Sequence, residues 1–118
     1  MKCIMTNNTA LTDAQKLTII FRVEPGCLGP RGPEHVTDFC QYARQQLAAL
    51  AANIVVWDII PRHDKALPET QFQISHKNLS HAQAAQYLAL FNMQLPALEA
   101  TLQDTIAQLI DSYLEHTD

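Results

Sequence analysis

The segment KLTIIFRVE, residues 16–24, decides the fold because its side chains alternate in character along the chain. In an extended strand, successive side chains point to opposite faces, so one face of this segment carries four apolar residues, Leu17, Ile19, Phe21 and Val23. β-branched and aromatic residues also favour strands. We therefore predict a strand over Lys16–Glu24 with one face in the core and the other face partly exposed.

The segment EPGCLGPRGPEH, residues 24–35, follows this strand and holds all three glycines and three of the six prolines. In the structural interpretation, glycine supplies unusual backbone dihedrals and proline stiffens a long connection. Two functional interpretations stay open. Backbone N–H groups at a helix start and Arg31 would hold an anion or small ligand, and Cys27 would be a reactive thiol. The glycine spacing matches neither the dinucleotide fingerprint nor a Walker loop.

Pro33 is well placed to begin a helix, because its missing N–H is not needed at the first helical position. Glu34 then lies in the first turn, where the helix dipole favours a negative charge. Apolar residues recur at intervals of three and four up to Ala51, which predicts one buried stripe on a helix over residues 33–51. The stripe consists of Val36, Phe39, Cys40, Ala43, Leu47, Leu50 and Ala51.

Two further strands are predicted after this helix. NIVVWDII, residues 53–60, is apolar on both faces except at Asp58, so Asn53–Arg62 is predicted to be a central strand that Pro61 ends. A carboxylate among apolar residues needs a partner, and Arg22 on the neighbouring strand is the candidate. Residues 69–75 alternate in polarity and are predicted to pair antiparallel with the second strand.

Two helices complete the chain. Ser80 with Gln83 three residues later forms the pattern of a capping box, which marks a helix start. Asn92 is suited to the left-handed conformation at the end of that helix. The apolar spacing after Pro96 predicts a long amphipathic helix that reaches about His116.

The element order β-α-β-β-α-α predicts an α+β fold, with a single domain over residues 11–118 after a loose N-terminal lead-in over residues 1–10. We expect a small three-stranded mixed sheet, as in a truncated ferredoxin-like plait, with the helices packed on it and a long C-terminal amphipathic helix. The other face of the sheet would then stay open, and four apolar residues are expected on it: Ile20, Ile54, Val56 and Ile60. A homodimer is predicted to cover this face.

Composition excludes several functional classes. The net charge is −4, and five acidic but no basic residues follow Lys77, so a nucleic-acid partner is not expected. The apolar runs are too short for a membrane span or a signal peptide, so we predict no membrane partner and a cytoplasmic location. Cys3, Cys27 and Cys40 are then expected to be reduced thiols.

The best position for a site is the end of the sheet where residues 24–35 and the turn Pro61–Lys65 should meet. The candidate ligand-binding residues there are Cys27, Arg31, His35, Arg62 and His63. A metal ion at this end would draw on Cys27, His35, Asp38 and His63, but the sequence has no close ligand pair of the zinc type, so neither metal nor cofactor is predicted.

The sequence therefore favours a dimeric module that binds a protein partner or a small ligand, such as an anion, without catalysis. The alternative is an enzyme, or a thiol-dependent ligand or anion binder, that uses residues 24–35 with residues 61–65. No catalytic residue is assigned in the interpretation as a non-catalytic binding module.

Overall fold

The computed structural model describes residues 11–117 and their side chains up to residue 115. The predicted lead-in over residues 1–10 lies outside the described residues. The strands are β1 (Leu17–Val23), β2 (Val55–Pro61), β3 (Thr70–Ile74) and β4 (Lys77–Leu79). The helices are α1 (Gly32–Leu47), α2 (His81–Ala89) and α3 (Leu95–Thr117), and a 3₁₀ turn spans Pro25–Leu28.

The strands form one mixed sheet in the order β2-β1-β3-β4. β1 is parallel to β2 and antiparallel to β3, and β3 is antiparallel to β4. The predicted pairing of the third strand with the second is wrong. The connection over residues 62–69 is much longer than a tight hairpin turn, and it carries β3 to the other side of β1, where the Arg22 N–H donates to the Glu69 carbonyl at 2.7 Å.

The prediction of three strands is also wrong, because β4 adds a fourth. Ser75 and His76 connect β3 to β4 with φ angles of 52° and 68°. Two consecutive left-handed residues between paired strands are typical of a type I′ hairpin turn, which usually contains Asn-Gly. Since this chain has Ser-His at these two positions, its residue types do not indicate a turn there. The α+β class is confirmed, whereas the ferredoxin-like plait is not.

Helix α1 ends four residues earlier than the apolar stripe predicts. After Leu47 the chain turns, and Ala51 adopts a left-handed conformation with φ of 51°. Its carbonyl accepts hydrogen bonds from the N–H groups of Ile54 and Val55, both at 2.9 Å. This tight turn, rather than a continued helix, leads the chain into β2.

The two C-terminal helices agree with the sequence. The Ser80 hydroxyl accepts from the Gln83 N–H at 3.1 Å, and the Gln83 side chain accepts from the Ser80 N–H at 2.8 Å. Asn92 has a φ of 61°, as expected for a helix end. No helix of the described residues is long and apolar enough to cross a membrane.

The core lies between one face of the sheet and the three helices. Cys40 and Trp57 are 1% and 6% exposed, which confirms their predicted place in the core. The Trp57 indole N–H donates to the Leu50 carbonyl at 2.8 Å, so its polar atom is satisfied.

The other sheet face is not part of this core. Alternation along β1 and β2 places Ile20, Val56 and Ile60 there, as predicted. Ile54 precedes β2 and packs against the core instead, which corrects its predicted place on the open face. The Arg22 side chain donates to the Pro68 carbonyl at 2.8 Å and to the Gln71 side chain at 2.9 Å, so these groups take the place expected for Asp58.

Candidate functional site

The glycine-proline loop and the turn after β2 meet at the carboxyl end of β1. The Arg62 N–H donates to the Val23 carbonyl at 2.9 Å, which extends the parallel ladder by one bond. The Arg62 guanidinium donates to the Glu24 carboxylate at 3.3 Å and to the Leu67 carbonyl at 3.1 Å. Arg62 therefore fastens the turn to the start of the loop.

A pocket of about 160 Å³ opens at this end of the sheet, between β1, the 3₁₀ turn and α3. Its apolar lining is contributed by two β1 residues and two α3 residues, Phe21, Val23, Ile106 and Ile110. Its polar and small lining groups include Glu24, Cys27, Glu69, Gln103 and Ala107. The site is thus an apolar cleft with two carboxylates and one thiol.

The 3₁₀ turn positions Cys27 at this pocket. The Cys27 N–H donates to the Glu24 carbonyl at 3.0 Å, and the side chain is exposed. Cys40 differs from it, because burial raises the pKa of that thiol from 9.0 to about 11. Of the two cysteines in the described part of the chain, Cys27 is the accessible one.

Arg31 is directed at its own helix rather than at the pocket lining. Its guanidinium donates to the Glu34 carboxylate at 2.8 Å, and both side chains are largely exposed. This hydrogen bond raises the pKa of Arg31 and lowers the pKa of Glu34.

The first N–H groups of α1 are also occupied. The Gly32 N–H donates to the Gly29 carbonyl at 2.9 Å, and the Glu34 N–H donates to the Arg31 carbonyl at 3.0 Å. Pro33 between them has no N–H. An anion at this helix start would compete with these contacts and with the Glu34 carboxylate.

His35 joins an aromatic cluster between α1 and α3. Its ring centroid lies 6.0 Å from that of Tyr113, which also lies 5.5 Å from the Phe39 centroid. Burial, and then the negative charge of Asp38, raise the pKa of Tyr113.

His63 is exposed on the turn after β2. Among residues 11–115, no three His, Cys, Asp or Glu side chains come close enough to hold one metal ion. Of the five candidate residues, Cys27 and Arg62 are connected through Glu24, whereas Arg31 is paired with Glu34 and His35 packs against Tyr113 of α3.

The glycine at position 32 is required for close packing. A Cβ atom at this position would lie 1.7 Å from the Pro25 carbonyl oxygen, so the 3₁₀ turn approaches α1 more closely than any side chain allows. Gly29 adopts a φ of 88°, which also favours glycine. By contrast, a Cβ atom at Gly26 meets nothing within 4 Å.

Sequence reasoning missed the residues that α3 and the start of β3 contribute to the pocket. Ile106 and Ile110 belong to the apolar stripe of α3, which indicated burial but not the element that they contact. Gln103, Ala107 and Glu69 carried no signal in the sequence. Only the packing of α3 across the carboxyl end of β1 brings these residues to Cys27.

Comparison with known proteins finds no matching family model, no similar curated protein and no similar solved structure.

Proposed function

We propose that the protein is a non-catalytic binding module that holds a small, largely apolar ligand in the pocket between β1, the 3₁₀ turn and α3. The main support for this proposal is the pocket itself, which combines an apolar lining with a polar rim at the carboxyl end of a parallel strand. An apolar cavity of about 150 Å³ accommodates a molecule the size of benzene. The pocket therefore suits a ligand with one small ring or a short branched chain.

The charges around the pocket favour a neutral or cationic ligand. Glu24 and Glu69 both line it, and the guanidinium of Arg22, also part of the lining, is already bonded to the Pro68 carbonyl and to Gln71. Glu24 is paired with Arg62, so the carboxylate that a ligand anion would meet without a paired cation among the described residues is that of Glu69, at a partly desolvated position, which is unfavourable. An anion, which the sequence suggested, is thus the less suitable ligand for this pocket.

The catalytic alternative needs Cys27 to act with a histidine. The structure directs His35 toward Tyr113 and leaves His63 exposed on the turn, while the α3 side chains Gln103 and Ile106 line the pocket beside Cys27. This arrangement supports binding against an apolar wall rather than activation of the thiol by a base.

Three probes that share one ring test the proposal: benzylamine, benzyl alcohol and benzoate. Titration of the full chain should shift the amide resonances of Phe21 and Ile106, with dissociation constants of about 1 mM for the first two probes. Benzoate should bind at least about tenfold more weakly. If none of the three probes shifts these resonances, the proposed site is wrong.

A matched pair of variants locates the binding. Ala107→Leu fills the pocket and should abolish the shifts, whereas Ala97→Leu adds the same side chain to an exposed position of α3 outside the pocket lining. Cys27→Ser should keep the binding of benzylamine. Loss of binding in Cys27→Ser alone would instead support the thiol-dependent alternative.

A homodimer through the open sheet face is a second proposal. It is supported by Ile20, Val56 and Ile60, which lie on the sheet face opposite α1; Val56 and Ile60 are half-buried there, and Ile20 is 7% exposed. Sedimentation should then show a species of twice the 13.2 kDa chain mass. Ile60→Lys should convert it to monomer, while Leu90→Lys, at a residue that is 75% exposed near the end of α2, should not. A native chain that sediments as a monomer removes this proposal.

A further inference from the structure

Strand β2 forms one edge of the sheet, so only one of its two sides is paired with another described strand. The Leu17 N–H donates to the Ile54 carbonyl, and the Arg62 N–H donates to the Val23 carbonyl, both at 2.9 Å. In a parallel ladder, alternate residues bond to the same neighbour. The backbone N–H and carbonyl groups of the even-numbered residues of β2 therefore point toward β1. The six backbone groups of Val55, Trp57 and Ile59, one N–H and one carbonyl each, point outward.

Two of these six outward groups already have partners. The Val55 N–H donates to the Ala51 carbonyl at 2.9 Å, and the Ile59 carbonyl accepts from the Arg44 guanidinium at 3.0 Å. The other four groups have no hydrogen-bond partner within the described part of the chain. They are the Val55 carbonyl, the Trp57 N–H and carbonyl, and the Ile59 N–H.

These four groups match the requirements of an added parallel strand. A residue opposite Val56 would donate to the Val55 carbonyl and accept from the Trp57 N–H. A residue opposite Asp58 would donate to the Trp57 carbonyl and accept from the Ile59 N–H. Both added residues would be fully hydrogen-bonded, and neither would need the two groups that Ala51 and Arg44 occupy.

We propose that the outer edge of β2 binds an extended peptide as a parallel strand, with an acidic side chain of the peptide opposite Trp57. This side chain would lie on the α1 side of the sheet, because Trp57 faces the core there. Strand addition of this kind draws affinity from backbone hydrogen bonds and specificity from alternate side chains.

The charge and space beside this edge argue for an acidic residue. Arg44 is exposed and bonded to a carbonyl, whereas Arg31 and Arg62 are each paired with a glutamate. A second cavity, of about 270 Å³, lies along β2 and is lined by Arg44, by the ion pair of Lys16 with Asp13, and by the small residues Ala48 and Ala52, among others. A carboxylate there would reach a guanidinium that lacks an acidic partner among the described residues.

A second copy of the chain fits this edge poorly. A two-fold axis perpendicular to the sheet pairs edge strands antiparallel, not parallel. Helix α1 makes its main sheet contacts with β2. Two copies of β2 in one sheet would therefore bring two α1 helices onto neighbouring strands that are about 5 Å apart, whereas packed helices need about 8–10 Å. A single peptide strand carries no such helix.

The test uses the full chain and the probe peptide acetyl-Thr-Val-Asp-Val-Thr-amide, with a panel in which the two valines are replaced by Ile, Thr or Tyr. Hydrogen exchange read by NMR should show fast exchange of the Trp57 and Ile59 amides in the free protein. A bound peptide should slow both amides at least about tenfold. The Val56 and Asp58 amides, which already bond to β1, serve as internal references.

Two controls separate backbone pairing from charge. N-methylation of both valines removes the two peptide donors and should abolish the protection. Replacing the peptide aspartate by lysine should weaken binding about tenfold in the native chain, and Arg44→Ala should remove that difference. Arg31→Ala removes an exposed arginine elsewhere on the surface and should leave the difference unchanged.

Three results would overturn the proposal. The first is a panel in which no member slows the Trp57 and Ile59 amides. The second is equal binding of the N-methylated peptide. The third is protection of the same two amides that rises with protein concentration in the absence of peptide, which would identify a second copy as the occupant.

Discussion

The glycine-proline loop and strand β2 differ in what their sequences suggest and in what their backbones do. The loop, residues 24–35, contains a cysteine, an arginine and a histidine, yet Gly32 serves close packing, and Arg31 and His35 contact neighbours on or against α1. β2 is almost wholly apolar in sequence, yet it leaves four backbone groups without a partner in the described part of the chain. Residue type and position in the sheet thus point to different candidate binding surfaces.

Gly32→Ala should have the largest effect, because it tests whether the loop is structural. A Cβ atom 1.7 Å from the Pro25 oxygen forces the 3₁₀ turn away from α1. We expect a loss of at least about 3 kcal/mol in the free energy of unfolding, measured in urea. Gly26→Ala is the control and should change this free energy by less than about 1 kcal/mol, because its Cβ meets open space. Equal losses in both variants would contradict the close-packing argument.

Alkaline pH tests the contrast between the two cysteines. The folded-state pKa of Cys40 is raised, so the fold favours the neutral thiol, and its contribution to stability is complete below pH 9. As the pH rises from 9 to about 11, the unfolded chain ionises first, and stability should fall by about 2 kcal/mol. Cys40→Ala should lack this part of the pH dependence.

Alkylation at pH 8 provides a second readout of the same contrast. In a Cys3→Ser background, one equivalent of reagent should react rapidly with Cys27. Cys40 should react at least about a hundredfold more slowly until the chain unfolds, because little of its thiol is ionised and the side chain is buried. Comparable rates at the two cysteines would contradict the raised pKa.

Arg22→Ala and Arg31→Ala together compare a buried arginine of β1 with an exposed arginine of the loop. Arg22 is 8% exposed and donates to the Pro68 carbonyl and to Gln71. Its loss should lower the free energy of unfolding by about 1.5 kcal/mol. Arg31→Ala should leave stability unchanged within error, because its ion pair with Glu34 is exposed.

Glu24→Gln should have the smallest effect, since it weakens the one ion pair that joins the loop to the turn after β2. The Arg62–Glu24 pair is partly buried, and Arg62 also donates to the Leu67 carbonyl. We expect a loss of about 0.5 kcal/mol, measured by urea unfolding. A loss as large as that of Gly32→Ala would show that charge, rather than close packing, holds this end of the molecule together.

Local patterns were sufficient for most elements and insufficient for their arrangement. The Ser80–Gln83 capping box and the apolar stripe after Pro96 located α2 and α3 nearly to the residue. The stripe of α1 failed at its end, because Leu50 and Ala51 are compatible with both a helix and a turn. The predicted meeting of residues 24–35 with the turn after β2 is found at the carboxyl end of β1. The α3 wall of the pocket there was not predicted, since no local pattern encodes that residues 27 and 106 line the same pocket.

The sequence by itself determined the α+β class, the strand β1, and the helix starts at Pro33 and Ser80. These features depend on side-chain alternation and on hydrogen bonds between residues close in the chain. Only the tertiary structure decided that β1 is central and that β2 is an edge. Strand order depends on which long connection closes with the most favourable packing, and apolar residues on both faces of a strand are compatible with either position.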